Sequence, residues 1–398
     1  MPDSFTEVTN TSWFSRIKSA LSGILIGLGL ILAAIIALFW NEGRAVETAR
    51  SLYEGAGLVV SVDPSKLTAE KNGKLVHFTG SLTPNGVPSD TLFSNLELPV
   101  GTTRLVRQVE MYQWMEDTKT KTRKKIGGGE EKTTVYSYSQ KWSERQIKSA
   151  NFKKLEGHQN PTMPLKSETF GVENGAVGSI VLEGRDFQSL GTKMVLAPND
   201  VMENTIAEKL GQHGLVSISG EAILIGDTIN TARIGDLRIT FYTAKVETLS
   251  GIGKLNDGKI TAYETTNGRK ISMFREGAAS AKEMFDTALS NNAMLTWALR
   301  LGGFMGMLIG FKMLFSVLGV IGDVIPFVGD VVRFASGLLA FALTAVISAL
   351  VIGFAWVYFR PVLGYSIIAA GILLGIGAMY LGKAKSRKVE KETGAATA

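Results

Sequence analysis

Hydrophobic positions in this chain follow two patterns: continuous runs at the two ends and alternation in between. Ala20 to Trp40 carries no charged residue and is rich in Ile, Leu and Gly. A helix needs roughly 20 apolar residues to cross the hydrocarbon core of a bilayer, and this stretch matches. A signal peptide would have an apolar core of about 7–15 residues and then a small-residue cleavage site. Here the run leads into Asn41-Glu42-Gly43-Arg44-Ala45. The pattern therefore predicts a retained first crossing over 19–40, after a short cytoplasmic N-terminus, 1–18.

The C-terminal third supplies three further candidates. Leu301 to Ile321 is interrupted by Lys312, and Val331 to Phe359 has Arg333 near its start. Arg360-Pro361 is a natural break, because proline cannot continue the preceding helix without cost. Pro361 to Leu381 is the fourth crossing, followed by a basic tail, 382–398, with Lys383, Lys385, Arg387, Lys388 and Lys391. Residues 278–300 read as a linking helix with Trp297 at the interface, and 322–330 as an interfacial loop. Positive residues near helix ends favour the cytoplasm, and Arg16, Lys18 and the basic tail agree on that side for both termini. The long middle segment is then extracytoplasmic.

That segment, 41–277, alternates in the manner of strands. In Val106–Met115, Val109, Met111 and Gln113 share one face, and Glu110, Tyr112 and Trp114 share the other. Tyr136, Tyr138, Gln140 and Trp142 repeat at period two. Between these runs lies Lys119–Lys132, centred on Gly127-Gly128-Gly129, which predicts a long hairpin with a mobile, solvated basic tip. Leu75–Gly80, Leu215–Ile225 and Asp236–Val246 predict further strands, with a hairpin turn at Asp257-Gly258 and a short helix over Asp200–Gly211. The fold class is a membrane protein of α+β type: four transmembrane helices, one N-terminal and three C-terminal, with a β-rich, barrel- or sandwich-like extramembrane domain.

Small residues recur inside the apolar runs: Gly23 and Gly27; Gly302, Gly306 and Gly310; Gly371 and Gly375; and the stripe Ser336, Ala340, Thr344 and Ser348. Such residues let helix backbones approach closely in lipid. They serve either packing within one bundle or self-association, and both can hold. Lys312 would cost about 2.5–3.5 kcal/mol at a bilayer centre on insertion scales. A pore or ion path is one reading of it. A snorkelling lysine on a short or tilted helix is the plainer one.

Composition narrows the chemistry. A net charge of +6 over 398 residues is too slight to indicate nucleic-acid binding. No cysteine is present, which removes disulfides, thiolate metal sites and cysteine nucleophiles. The three histidines, His77, His158 and His213, are scattered. Gly55-Ala56-Gly57 and Gly251-Ile252-Gly253-Lys254 lack complete phosphate-loop spacing. His158, in Gly157-His158-Gln159-Asn160-Pro161, is the most distinctive histidine and reads as a hydrogen-bonder beside a turn. No cofactor or metal is expected, and the chain reads as not an enzyme.

Several pieces together resemble one family. Asn41-Glu42-Gly43-Arg44 follows the first apolar run, and Glu110, Tyr112 and Trp114 lie on the first long strand. His158, Asn160 and Pro161 come next, then Asp236 and Arg238. Trp297, Arg300, Arg360 and Pro361 complete the series. Their order and spacing resemble the LUMA, or transmembrane protein 43, family along nearly the whole chain. The resemblance implies one N-terminal helix, a large lumenal or extracytoplasmic domain and three C-terminal helices. It also implies self-association and organisation of membrane protein complexes, with no catalytic residues to carry across. In animals the family is associated with the endoplasmic reticulum and inner nuclear membrane. The absence of cysteine and the short N-terminal extension depart from the animal members, so a prokaryotic cell membrane is the expected location. The expected function is a self-associating scaffold that organises membrane proteins or lipid microdomains. A channel or channel regulator, with Lys312, Arg300 and Arg333 near the path, is the alternative. An envelope lipid- or polysaccharide-modifying enzyme using His158 is the third reading. The expected partners are the lipid bilayer, further copies of the chain and other membrane proteins.

Overall fold

A computed structural model describes residues 3–94, 96–226, 231–366, 369–370 and 373. Contacts divide it into two compact units. A β-rich unit comprises 1–10, 51–123 and 130–288, and a helical unit comprises 11–50, 124–129 and 289–398. The overall class is that of a membrane protein with apolar helices and a β-rich domain, as the hydropathy predicts.

The helical unit is built on α1 (Trp13–Leu58), α3 (Ala281–Gly322) and α4 (Pro326–Phe359). All three are long and apolar enough to cross a membrane. All three exceed the predicted spans. The apolar run of α1 ends at Trp40, but nothing in Asn41–Leu58 breaks a helix, so its 46 residues extend to about 69 Å at 1.5 Å per residue. The predicted linking helix and second crossing are likewise one continuous α3. The predicted interfacial loop shrinks to a turn, because Pro326 sits in the first turn of α4, where its missing N–H costs nothing. The predicted fourth crossing falls largely outside the described residues; 361–366 is helical. Gly371, Gly375 and the basic tail lie outside them too.

Inside the helical unit, Gly27 of α1 and Gly310 of α3 meet backbone to backbone. A Cβ on Gly27 would stand 2.6 Å from the Gly310 carbonyl, and one on Gly310 would stand 2.7 Å from that of Gly27. Ile31, Leu38, Met307, Phe311 and Ala340 form the core around this crossing. Thr344 and Ser348 continue the buried small-residue stripe of α4.

The β-rich unit contains two main sheets among the described residues. In the first, the order runs Ser4–Thr11, Glu130–Ser143, Thr102–Lys124, Leu237–Lys245, Ala222–Gly226, Leu215–Ser219. The alternation read in Val106–Met115 holds: Val109, Met111 and Gln113 are buried, while Glu110, Tyr112 and Trp114 are half-buried. Val109 pairs with Ile239 and Met111 with Leu237, and these join Phe93, Ile206 and Ile225 in one core. Helix α2 (Asp200–Leu210), capped by the Asn199 side chain on Met202 N, contributes Met202 and Ile206 to it. The second sheet centres on Leu75–Asn85 against Thr248–Asn256, with its own core of Val76, Phe78, Ile180 and Leu249. The Asp257-Gly258 turn is present, both residues with positive φ, and it pairs Leu255 with Ile260.

One departure concerns the N-terminus. Residues 4–11, read as part of a cytoplasmic stretch, form an edge strand of the first sheet beside Glu130–Ser143. Phe5 lies against Tyr136 at 6.1 Å between ring centroids, and Glu7 accepts from the Tyr136 hydroxyl at 3.1 Å.

Candidate functional site

The polar residues of the helical unit gather into two clusters. The first joins family-motif residues that lie some 250 positions apart in sequence. Arg300 on α3 grips Glu42 on α1 through two hydrogen bonds, Nε to Oε1 at 2.7 Å and Nη2 to Oε2 at 2.8 Å. The indole N–H of Trp356 on α4 donates to the same carboxylate at 2.8 Å. The guanidinium lies 4.6 Å from the Trp297 ring centroid and 5.6 Å from that of Trp356. Asn41 donates to the Thr296 carbonyl, and Arg44 donates to the side chains of Asn292 and Thr296. Gly43 is required by the Phe359 ring, which a Cβ would meet at 2.6 Å. A buried charge needs a partner and full hydrogen bonding, and here three helices combine to satisfy one carboxylate.

The second cluster centres on Asp323, fully buried in the turn between α3 and α4. Arg16 reaches it at 2.6 Å, Arg333 at 2.7 Å and Lys124 at 3.6 Å. Lys124 and Arg333 each also hold Asp330 at 2.6 Å. Lys124 belongs to the tip of the long hairpin, which was read as a solvated turn. Instead the tip is bonded in: Gly127 N donates to Val324 O, and Arg16 donates to Gly128 O. Gly128 has φ +80 and faces the Trp13 ring so closely that no Cβ fits. Gly329 is glycine for a similar reason, since a Cβ there would fall on the Asp323 carboxylate. The buried charge overrides the loop character that Gly-Gly-Gly suggests.

Beside this cluster opens a groove of about 680 Å³ between α3 and α4, with Arg16 of α1 on its wall. Lys312, Ser316 and Arg333 line it with Leu308, Phe334 and Phe341. Lys312 thus lies on a groove with two arginines.

The glycine positions divide. Gly27 and Gly310 are consumed in helix packing, and Gly23 lies near Met313, 3.8 Å from its potential Cβ. A Cβ on Gly302 or Gly306 would meet nothing within 4 Å among the described residues. Each four-residue step turns about 40° past a full turn on a 3.6-residue helix, so the ridge from 302 to 310 rotates from open surface into the core. Gly303, which the four-residue spacing misses, makes the close approach there, 2.6 Å from Leu38.

In the β-rich unit the remaining motif residues surround the Tyr112–Trp114 strand. Arg238 pairs with Glu110 at 2.6 Å and lies 4.7 Å from the Trp142 ring, which in turn packs on Tyr112. Asp236 turns back on Arg233 N, and its carbonyl accepts from Tyr112 N. The Asn160 side chain brackets the backbone of Trp114, accepting from its N–H at 2.7 Å and donating to its carbonyl at 2.9 Å. Pro161 accepts at its carbonyl from Gln146. His158 is buried, stacked on Tyr138 at 3.9 Å and edge-on to Trp114 at 4.7 Å. Its Nδ1 faces the Lys154 carbonyl at 3.1 Å and its Nε2 faces Asp3 at 3.0 Å. Burial pushes the Tyr138 phenol up to about 12, with Glu116 as its acceptor adding to the rise. Arg360 and Pro361 are exposed; the Arg360 N–H closes α4 on the Trp356 carbonyl at 2.8 Å.

Sequence reasoning missed three features. Asp323 stood in a segment read only as a loop. Lys124 stood in a tip read as solvated. Arg107, buried and paired with Asp90 between the rings of Phe93 and Phe170, had no sequence signal beyond a charge on an apolar strand. Among the described residues, no group of His, Cys, Asp and Glu is arranged to hold a metal ion.

A family model described as Transmembrane protein 43 matches residues 111–361. The chain is 29% identical over 373 residues to Transmembrane protein 43 of Homo sapiens, covering 91% of this chain and 90% of that protein. It is 29% identical over 368 residues to the Mus musculus protein of the same name, covering 89% of each. It is 28% identical over 358 residues to the Transmembrane protein 43 homolog of Drosophila melanogaster, covering 87% of this chain and 91% of the relative. No solved structure matches the chain.

Proposed function

Because the chain belongs to the transmembrane protein 43 family, we propose that it is a non-catalytic, self-associating scaffold that organises proteins or lipids within a membrane. One observation carries this reading. Among the described residues, the helical unit packs through Gly27, Gly303, Gly310 and the buried stripe of α4, yet leaves Gly302 and Gly306 on an open α3 surface. Leu301, Met305 and Ile309 flank them, each about half exposed or more. Small residues on an apolar helix face let a second helix approach closely in lipid.

The competing readings find less support. Arg300 and Arg333, which a conduction path would draw on, are tied into ion pairs with Glu42, Asp323 and Asp330. His158 is buried, with its ring nitrogens facing the Lys154 carbonyl and Asp3.

The chain has no cysteine, so Gly302→Cys or Gly306→Cys introduces a unique thiol. Oxidation in native membranes should trap a disulfide-linked dimer from at least one of them. A monomer from both, under conditions that oxidise a thiol at Val346→Cys, an exposed position of α4, would remove the support for this face.

A further inference from the structure

We propose that the groove beside Asp323 binds an anionic glycerophospholipid, its phosphate held by Lys312 with Arg16 and Arg333 and its acyl chain laid on the aromatic wall. The argument starts from charge. Arg16, Lys124 and Arg333 stand around two carboxylates, Asp323 and Asp330, and Lys312 lines the same groove as the two arginines. Lys124 is held between both of them, and the arginines are anchored by Asp323. Lys312, inside the apolar run of α3, makes no hydrogen bond or ion pair among the described residues. An ammonium in that setting is costly unless it finds a counter-ion, and two neighbouring guanidiniums of the same sign exclude another cation. Each arginine carries five N–H donors in a fork suited to phosphate oxygens.

The other wall specifies a lipid rather than a free anion. Phe334, Leu338 and Phe341 are 71%, 57% and 54% exposed, and they line the same groove. Lys312 and Ser316 follow one another by a turn of α3, so polar and apolar walls run side by side. A volume of about 680 Å³ lies in the range of pockets that hold drug-sized ligands, ~300–1,000 Å³.

The test is native mass spectrometry of the full chain in detergent, titrated separately with dioleoylphosphatidylglycerol, dioleoylphosphatidylcholine and inorganic phosphate. Phosphatidylglycerol should bind about tenfold more tightly than phosphatidylcholine, Lys312→Met should remove most of that preference, and Lys18→Gln, a basic residue outside the groove, should change it less than about twofold. Equal binding of the two lipids by the unaltered protein overturns the proposal, and so does a Lys312→Met variant with the full preference. Inorganic phosphate that displaces phosphatidylglycerol at millimolar concentration would reassign the groove to a free anion. If Lys312→Met does not fold, the lipid comparison and phosphate competition on the unaltered chain still decide.

Discussion

Single charged residues hold much of this molecule together, and none of them acts alone. Glu42 and Asp323 are carboxylates with almost no exposure, and removing one partner of a buried ion pair typically costs about 3–5 kcal/mol because the other charge is left uncompensated. The partners of Glu42 lie 258 and 314 positions away. Those of Asp323 come from three separate stretches, so no local pattern announces either cluster. Motif resemblance did single out Asn41 to Arg44, Trp297 and Arg300, and the structure brings those residues together. It did not single out Asp323, whose Gly-Asp-Pro surroundings read as a loop. At the N-terminus, the Lys154 ammonium, as a hydrogen-bond donor, holds the Asp3 carboxyl below its ordinary range. Lys153 does the same for Glu7, helped by Tyr136. A carboxylate whose pKa is lowered in the folded state adds stability above its unfolded value, near 4, and loses it as pH falls through the folded value. The edge strand should therefore stay docked at neutral pH and loosen on acidification below about pH 4. Hydrogen exchange checks this. Protection of the Tyr138 amide, which donates to the Asp3 carbonyl, should fall in that window while the amides of Leu237–Lys245 keep theirs. Equal retention of both would contradict the assignment.

At the scale of elements, periodicity was a good guide to faces and a poor one to ends. Strands with one buried face, such as Val106–Met115, declared themselves by alternation, and Asp257-Gly258 by the turn chemistry that positive φ demands. Helix ends were hidden. Charged residues after Trp40 mark where lipid would end, but a helix continues through Glu, Arg and Ala as readily as through Leu. Glycine spacing identified small-residue ridges without saying which way each faced. The glycines of α3 make that distinction testable. Gly310→Ala would drive a methyl group into the Gly27 carbonyl and should lower the melting temperature in detergent, as overpacking of about 1–3 kcal/mol does. Gly302→Ala meets none of the described residues and replaces the poorest non-proline helix former with the best, a gain of up to about 1 kcal/mol. Equal destabilisation by both would mean that Gly302 is not on an open surface.

For the whole molecule, family membership and apolar helices establish an integral membrane protein, and the N-terminal strand constrains how the chain is threaded. Residues 4–11 share a sheet with Glu130–Ser143. Strands that exchange backbone hydrogen bonds lie on one side of a membrane, because an open sheet edge is not tolerated in hydrocarbon. Ser4→Cys and Ser65→Cys, both at exposed positions of the β-rich unit, flank the apolar run of α1; the strand pairing expects them to react with an impermeant thiol reagent from the same face of sealed vesicles, which requires that this run enter the membrane without crossing it. Labelling from opposite faces would contradict the strand pairing and restore the arrangement that the flanking charges suggest.

The central claim is self-association through α3, and the mass of the protein in native lipid nanodiscs addresses it most directly. The unaltered chain should form a defined oligomer, and Gly302→Leu with Gly306→Leu should convert it to a folded monomer, since a bulky side chain there blocks a neighbouring helix and meets none of the described residues of the protomer. A monomer before substitution, or an oligomer that survives it, would contradict the account.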